Sequence, residues 1–170
     1  VECLAPEHLR VLQGEKWAAQ WGYISERSAF YRRKLEKWNS RPRSLDGLQE
    51  FPLTDKDELR QSQEADYPFG DYIACAQQRV VRIHRTSGTT GRALILANSQ
   101  EDVEVTARLG ARSLFASGLR PADRVVHCLN YCLWTGGVTD HLALESTGAT
   151  VIPFGVGSSR ELVETIIDLG

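Results

Sequence analysis

The chain has 170 residues, of which 42% are apolar and 25% are charged, and its formal net charge is −2. These values are typical of a globular protein and exclude an intrinsically disordered chain, and the length fits one domain with an appended subdomain. No apolar run approaches the roughly 20 residues that a membrane-spanning helix needs, so no membrane partner is expected. The four cysteines are too few for a disulfide scaffold and indicate reduced thiols in a cytoplasmic protein.

The first part of the chain, residues 1–78, is predicted to be a helical region. Five of its residues recur at alternating steps of four and three, which places them on one face of a helix. They are Ile24, Ser28, Tyr31, Leu35 and Trp38. A single helix across residues 24–38 is therefore expected.

Charge is unevenly distributed within this helical region. Residues 26–43 hold seven Lys or Arg and two acids, whereas residues 44–66 hold seven Asp or Glu and two Lys or Arg. A basic helix could bind nucleic acid, but no recognition motif accompanies it and the neighbouring acidic segment can neutralise it. Two helices that pack around a nucleotide domain are the preferred interpretation, and no nucleic-acid partner is expected.

The second predicted domain, residues 79–170, opens with a loop rich in glycine and hydroxyl groups. The loop and the residue after it are Thr86, Ser87, Gly88, Thr89, Thr90, Gly91 and Arg92. Glycine allows backbone N–H groups to fold around an anion, hydroxyls add donors, and arginines supply charge. From Arg79 to Arg92 there are four arginines, one histidine and no acid. This composition suits a nucleoside triphosphate, although a solvated hairpin tip can have the same composition.

Two common phosphate-binding motifs are excluded at this loop. The Walker pattern requires Lys and then Ser or Thr after its last glycine, whereas Gly91 is followed by Arg92 and Ala93. The dinucleotide fingerprint Gly-x-Gly-x-x-Gly is absent as well. The flanking residues 80–85 and 93–97 predict instead a strand, a phosphate loop and a second strand, although propensity alone would also allow a helix over 93–97.

Helices and strands alternate from this point to the end of the chain. The predicted elements are a helix capped by Ser99, a strand over 124–129, a helix over 136–144, a strand over 150–154 and a helix capped by Ser158 and Glu161. Each boundary rests on a capping residue, a glycine or a proline. The alternation predicts an α/β core of parallel strands joined by crossover helices.

Two cysteines and two histidines close in sequence raise the alternative of a zinc site. They are His127, Cys128, Cys132 and His141. The Cys-x-x-x-Cys spacing is looser than the usual zinc spacing, and residues 125–129 predict a buried strand in which a free cysteine behaves as a small hydrophobe. No metal-binding residue is therefore assigned.

Residues 86–92 resemble the phosphate-binding signature of the AMP-forming, or adenylate-forming, ligases, usually Ser/Thr-Ser-Gly-Thr-Thr-Gly-Lys-Pro. Further segments resemble one branch of that superfamily, the phenylacetate–coenzyme A ligases. These segments are residues 31–35, 51–60, 131–137 and 148–153. The likeness runs from about residue 30 onward. Three departures stand out: Arg92-Ala93 for the usual Lys-Pro, Cys132 for a glycine, and Trp134 for a phenylalanine.

The resemblance implies an ATP-dependent carboxylic acid–coenzyme A ligase that forms an acyl adenylate and releases AMP and pyrophosphate. Residues 86–92 would then hold the phosphates of ATP. The pocket for a small, aromatic carboxylic acid would be lined by Tyr131, Trp134, Thr135, Gly136 and Gly137. Core packing is the alternative for both aromatic rings. Magnesium and coenzyme A are expected from the resemblance, and the catalytic residues are unknown.

Later motifs of the superfamily, including Tyr-Gly-x-Thr-Glu and a late catalytic lysine, are absent. The chain is therefore expected to be the N-terminal part of a longer enzyme, with the remainder of that enzyme as its partner, and to be inactive alone. Two other functions stay open. One is an adenylating enzyme whose acceptor is not coenzyme A, and the other is a non-catalytic module that binds a nucleotide or a partner.

Overall fold

A computed structural model describes residues 3–38, 45–88 and 92–169. The chain divides into two compact units, Val1–Gln77 and Gln78–Gly170. Among the described residues the first unit is helical, whereas the second combines helices with short strands. The fold class is therefore α/β with a helical segment first, as the sequence predicts.

The first unit starts with two helices, α1 (Pro6–Arg27) and α2 (Ala29–Lys34), which are separated by Ser28. Ser28 is fully buried and has extended backbone angles, and its hydroxyl accepts a hydrogen bond from the N–H of Tyr31. A serine in this position satisfies an otherwise unpaired N–H at the start of a helix. The single helix predicted across residues 24–38 is therefore wrong, because Ser28 ends one helix and caps the next. A 3₁₀ turn, Glu36–Trp38, follows α2.

The rest of the first unit is a 3₁₀ helix, Leu45–Glu50, and a helix α3, Lys56–Ala65. Asp55 caps α3, and the side chain of Glu58 returns a hydrogen bond to the Asp55 N–H, which completes a capping box. Three aromatic rings pack together in this unit, with centroids 5.0–6.0 Å apart. They belong to Trp17, Trp21 and Phe51. Trp21 is 4% exposed, so this cluster lies in the unit's core.

Asp71 ties the helices of the first unit together. Its side chain pairs with Arg33 of α2 and accepts a hydrogen bond from the hydroxyl of Ser62 on α3 at 2.7 Å. Its carbonyl oxygen accepts from the N–H of Phe30 at 3.1 Å. The hydrogen bond with Arg33 lowers the pKa of the Asp71 carboxyl, and the Ser62 hydroxyl lowers it further.

The second unit begins, after a 3₁₀ turn at Gln77–Arg79, with strands β1 (Val80–Arg85) and β2 (Ile95–Ser99). These strands pair antiparallel, with Arg85 opposite Ile95. They form the strand–loop–strand arrangement that the sequence predicts. Helix α4 (Gln100–Ala116) follows at once, capped by Ser99 and Asp102.

The remainder of the second unit is β3 (Arg124–Val126), α5 (Thr135–Glu145), β4 (Thr150–Ile152) and α6 (Ser159–Leu169). Strands β3 and β4 are parallel and joined through α5, which confirms the predicted crossover. Both strands end earlier than predicted. Ser158 and Glu161 exchange hydrogen bonds at the start of α6, as expected of a capping box.

Helices α4 and α5 pack closely because Gly110 faces Ala143. A Cβ atom placed on Gly110 would lie 2.6 Å from the Cβ of Ala143, so only glycine allows this approach. Ala107, Ala143 and Leu144 are buried and form part of the core of the second unit. None of the helices among the described residues is long and apolar enough to cross a membrane.

Candidate functional site

The loop that follows β1 is closed at its base by Thr86 and Leu94. The N–H of Thr86 donates to the carbonyl oxygen of Leu94 at 3.0 Å, and the N–H of Leu94 donates to the hydroxyl oxygen of Thr86 at 2.9 Å. Leu94 is 3% exposed, which anchors this end in the core. Accepting one bond leaves the Thr86 O–H able to donate, so Thr86 can close the loop and still contact a ligand.

The described part of the loop contains a glycine in a left-handed conformation. Gly88 has φ +68°, in the left-handed region that favours glycine. Ser87 and Arg92 are exposed, and Thr86 is half-buried. Thr89, Thr90 and Gly91 lie outside the described residues.

The start of β1, at the end of the hairpin away from the loop, carries an ion pair. The stretch from Arg79 to Arg92 contains no acid, yet Arg79 forms an ion pair with Glu101 near the start of α4. The pKa of Glu101 is lowered, chiefly by a hydrogen bond with its own backbone N–H, then by Ser99 and by Arg79. The acid-free stretch therefore gains an acidic neighbour by folding.

A second segment, residues 130–134, lies beside the end of β1. The N–H of Arg85 donates to the carbonyl oxygen of Leu133 at 2.9 Å. Cys132 and Leu133 both have positive φ, +22° and +62°, which is uncommon for residues with a side chain. The N–H of Trp134 donates to the carbonyl oxygen of Tyr131 at 2.8 Å and closes the turn. The segment is therefore a tight turn attached to the base of the loop.

Two glycines allow this turn to pack against the start of α5. A Cβ atom on Gly137 would lie 2.1 Å from the carbonyl oxygen of Asn130, and one on Gly136 would lie 2.5 Å from the ring of Trp134. Thr135 is the first residue of α5 and is half-buried. The carbonyl group of Asn130 therefore packs directly against Gly137, and the indole ring of Trp134 packs directly against Gly136.

Tyr131 is hydrogen-bonded to a histidine on α5. The Tyr131 Oη lies 3.1 Å from Nδ1 of His141, and Nε2 of His141 lies 3.1 Å from Oε1 of Glu145. The ring of His127 packs edge-on against that of His141, with centroids 5.6 Å apart. His127 is 4% exposed, and burial is the main cause of its lowered pKa. Burial therefore favours the neutral form of His127.

Sequence comparison places these features in a known context. Over 171 aligned residues the chain is 37% identical to a phenylacetate-coenzyme A ligase of Thermus thermophilus, covering 99% of this chain and 37% of that protein. It is also 37% identical to a phenylacetate-coenzyme A ligase of Escherichia coli K12, again over 99% of this chain and 38% of the relative. Over nearly its whole length the chain is similar to part of the phenylacetate-coenzyme A ligases of both organisms. It spans little more than a third of the length of these relatives.

Solved structures of a CoA ligase are also similar to this chain. A 2-hydroxyisobutyryl-CoA ligase in the postadenylation state with 2-HIB-AMP superimposes with a TM-score of 0.87 at 26% identity, over 98% of this chain and 36% of that chain. The same enzyme with 2-HIB-AMP and CoA in the thioesterification state gives a TM-score of 0.86 at 29% identity, with the same coverage. The fold of this chain therefore matches that of about a third of an adenylate-forming CoA ligase. No protein-family model matches the chain.

Within this ligase fold the two sets of residues predicted from sequence lie in the same unit. The phosphate loop and the segment with Tyr131 and Trp134 meet through the Arg85–Leu133 hydrogen bond. Tyr131 and Trp134 are 39% and 49% exposed, so neither ring is part of the buried core of this chain. The assignment of these residues to ATP or to an acid stays a prediction.

From the sequence, His141 was considered only as a possible zinc ligand, and Glu145 was not singled out. The step of four between these two residues on α5 was a usable signal, because it places both on one helix face. Nothing in the sequence indicated that Tyr131 would reach His141, since the contact depends on the turn at residues 132–133.

The prediction that Cys128 is buried is wrong. Strand β3 ends at Val126, and Cys128 is exposed, with its thiol 3.6 Å from the carbonyl oxygen of Val126. Cys132 is exposed as well. Within residues 3–38, 45–88 and 92–169, no group of three or more His, Cys, Asp or Glu could hold a metal ion.

Proposed function

We propose that this chain forms part of an ATP-dependent carboxylic acid–coenzyme A ligase. The observation that supports it is the hydrogen bond between Arg85 and Leu133, which joins the base of the glycine-rich loop to the turn that carries Tyr131 and Trp134. A triphosphate and an acid must lie side by side for adenylation, and these two segments lie side by side.

In the proposed first step, a carboxylate oxygen attacks the α-phosphorus of ATP. The bond between the α-phosphorus and the bridging oxygen breaks, pyrophosphate leaves, and an acyl adenylate remains. In the second step the thiol sulfur of coenzyme A attacks the acyl carbon, loses its proton, and displaces AMP. The protein's contribution to the first step is to hold and neutralise the triphosphate as charge moves toward pyrophosphate.

The phosphate site would be formed by residues 86–92. The left-handed Gly88 lets backbone N–H groups turn toward an anion, the hydroxyls of Thr86 and Ser87 can donate, and the exposed Arg92 supplies charge. Thr89, Thr90 and Gly91 complete the proposed set by resemblance. Magnesium would accompany ATP, and no described residue is assigned to it.

The acid site would be formed by Tyr131, Trp134, Thr135, Gly136 and Gly137. The two exposed rings offer flat apolar surfaces, which suits an aromatic acid. A cytoplasmic location is part of the same proposal, since all four cysteines are free thiols.

The test is acid-dependent exchange of pyrophosphate into ATP by the full-length protein that contains this chain. Exchange that requires a carboxylic acid supports the ligase, whereas its absence points to a non-catalytic binding module. Thioester formation with free coenzyme A then separates a coenzyme A ligase from an adenylating enzyme with another acceptor. The isolated 170 residues are expected to catalyse neither reaction.

The acid site is tested by Trp134→Ala in the same full-length protein. Loss of the indole surface should raise the KM for aromatic acids about tenfold and leave the KM for ATP within about twofold. Tyr23→Ala, which removes an exposed ring from the other unit, is the matched control. Equal changes in both KM values would remove Trp134 from the pocket.

A further inference from the structure

We propose that His141 is a positioning residue for the acid site, which fixes the ring of Tyr131 by its hydroxyl and is itself fixed by Glu145. The three groups form a chain of two hydrogen bonds, each 3.1 Å long. The role of Tyr131 as a wall of the acid pocket rests on the proposed function. The hydrogen-bond chain itself does not.

The carboxylate fixes the direction of one hydrogen bond, and the form of the imidazole fixes the direction of the other. A carboxylate of Glu145 can only accept, so Nε2 of His141 must carry the proton that it donates. In a neutral imidazole Nδ1 is then the acceptor. In this neutral form of His141, the phenolic O–H of Tyr131 donates to Nδ1.

This arrangement matters because Tyr131 lies on a turn and not on a regular element. The two residues after it have positive φ, and 39% of Tyr131 is exposed, so packing alone gives its ring limited support. His141 and Glu145 lie one helical turn apart on α5. A side chain held from a helix is positioned more accurately than one held only by a loop.

His127 packs beside these three hydrogen-bonded groups. Its ring packs edge-on against His141 and lies 6.1 Å from the ring of Tyr131. Burial lowers its pKa, and neither of its ring nitrogens has a hydrogen-bond partner within the described ranges. Its support for His141 is therefore the ring contact and not a hydrogen bond.

The kinetic test compares His141→Phe and Tyr131→Phe in the full-length protein. His141→Phe keeps a ring of similar size but removes both hydrogen bonds. We expect each variant to raise the KM for the acid about two- to tenfold, with kcat and the KM for ATP within about twofold. The double variant should be no worse than either single variant, because both remove the same bond. His8→Phe, an exposed histidine of α1, is the control for the change of residue type.

Equal increases in the KM for the acid and the KM for ATP would overturn the positioning role. Additive effects on the KM for the acid in the double variant would overturn it as well. If His141→Phe does not fold, nitrogen NMR of the histidine rings in the unmodified protein decides the geometry, and Tyr131→Phe supplies the assignment. We expect His141 as the Nε2–H form, with Nδ1 shifted by loss of the phenolic O–H. An Nδ1–H form would overturn the chain of hydrogen bonds.

The two proposals fail separately. Absence of acid-dependent pyrophosphate exchange would overturn the ligase function and with it the role of Tyr131 at an acid. The NMR measurement would still test the two hydrogen bonds, because it does not require an active enzyme.

Discussion

The backbone N–H of Arg85 donates to the carbonyl oxygen of Leu133 at 2.9 Å, although the two residues are far apart in the sequence. Arg85 is the last residue of β1, and Leu133 belongs to the turn before α5. The bond makes that turn a neighbour of the glycine-rich loop. A change in the conformation of the turn should therefore alter the backbone at the end of β1, where the loop begins.

Leu133→Pro tests this connection. Proline fixes φ near −65°, whereas Leu133 has φ +62°, so the variant must move the Leu133 carbonyl away from Arg85. Loss of the bond should raise the hydrogen-exchange rate of the Arg85 amide about fivefold or more. Leu133→Gly keeps the left-handed conformation and is the matched control. An unchanged Arg85 exchange rate in the proline variant would show that the bond is not a constraint on β1.

Cys132→Gly should increase stability. Cys132 has φ +22°, a conformation that disfavours any residue with a Cβ atom. Removing the side chain relieves that strain, and we expect a gain of about 0.5–1 kcal/mol in the free energy of unfolding, measured by denaturant titration. Cys132→Ala keeps the Cβ atom, so it should stay within about 0.5 kcal/mol of the wild type. A similar gain from both variants would assign the effect to the exposed thiol and not to the backbone.

Gly137→Ala should be strongly destabilising. The added Cβ atom would meet the carbonyl oxygen of Asn130 at 2.1 Å, and a backbone atom cannot move aside as a side chain can. The expected loss is about 2–3 kcal/mol, seen as a lower thermal midpoint. Gly14→Ala in α1 is the control, because nothing lies within 4 Å of the new atom and a helical alanine should gain about 0.5–1 kcal/mol. Equal effects at the two glycines would contradict the packing of the turn on α5.

Asp71 should make the first unit sensitive to acid. Its pKa is lowered in the folded chain, first by the hydrogen bond with Arg33. A carboxyl with a lowered pKa stabilises the fold above its unfolded pKa, near 3.9, and this stabilisation is lost as the pH falls through the folded pKa. Asp71→Asn should therefore lower the free energy of unfolding by about 1 kcal/mol at pH 6–7, with the difference from wild type shrinking below about pH 4.

Glu64→Gln, an exposed acid of α3, is the control for this pH dependence. Denaturant titrations of the three proteins between pH 3 and pH 7 give the comparison. A difference between Asp71→Asn and wild type that is independent of pH would show that the carboxylate charge is not what stabilises this site.

Local signals in the sequence predicted much of the second unit. Ser99 and Ser158 mark the starts of α4 and α6, because a serine followed three residues later by an acid satisfies N–H groups at a helix start. Alternation of strands and helices predicted the parallel pair β3 and β4. Ser28 was missed because the helical spacing continues through it, and only the extended backbone reveals the break.

The contacts that join the predicted site residues could not be predicted in the same way. The bond from Arg85 to Leu133 and the contact of Tyr131 with His141 both depend on the positive φ angles of residues 132 and 133. A cysteine and a leucine give no hint of that conformation, since glycine is the residue that favours it. The residue types of the loop and the turn indicated the chemical groups of the candidate site. The backbone conformation of the turn determines which of these groups are in contact.

The ion pair of Arg79 with Glu101 lies at the end of the β1–β2 hairpin away from the glycine-rich loop, because Val80 is paired with Ser99 at that end. The six residues of β1 separate the pair from the loop by about 20 Å, at roughly 3.3 Å per residue. Exposed charges this far apart are largely screened, because the Debye length is roughly 8 Å at physiological ionic strength. Under the proposed function, neutralising either member of this ion pair should therefore have little effect on the rate at which a triphosphate associates with the loop.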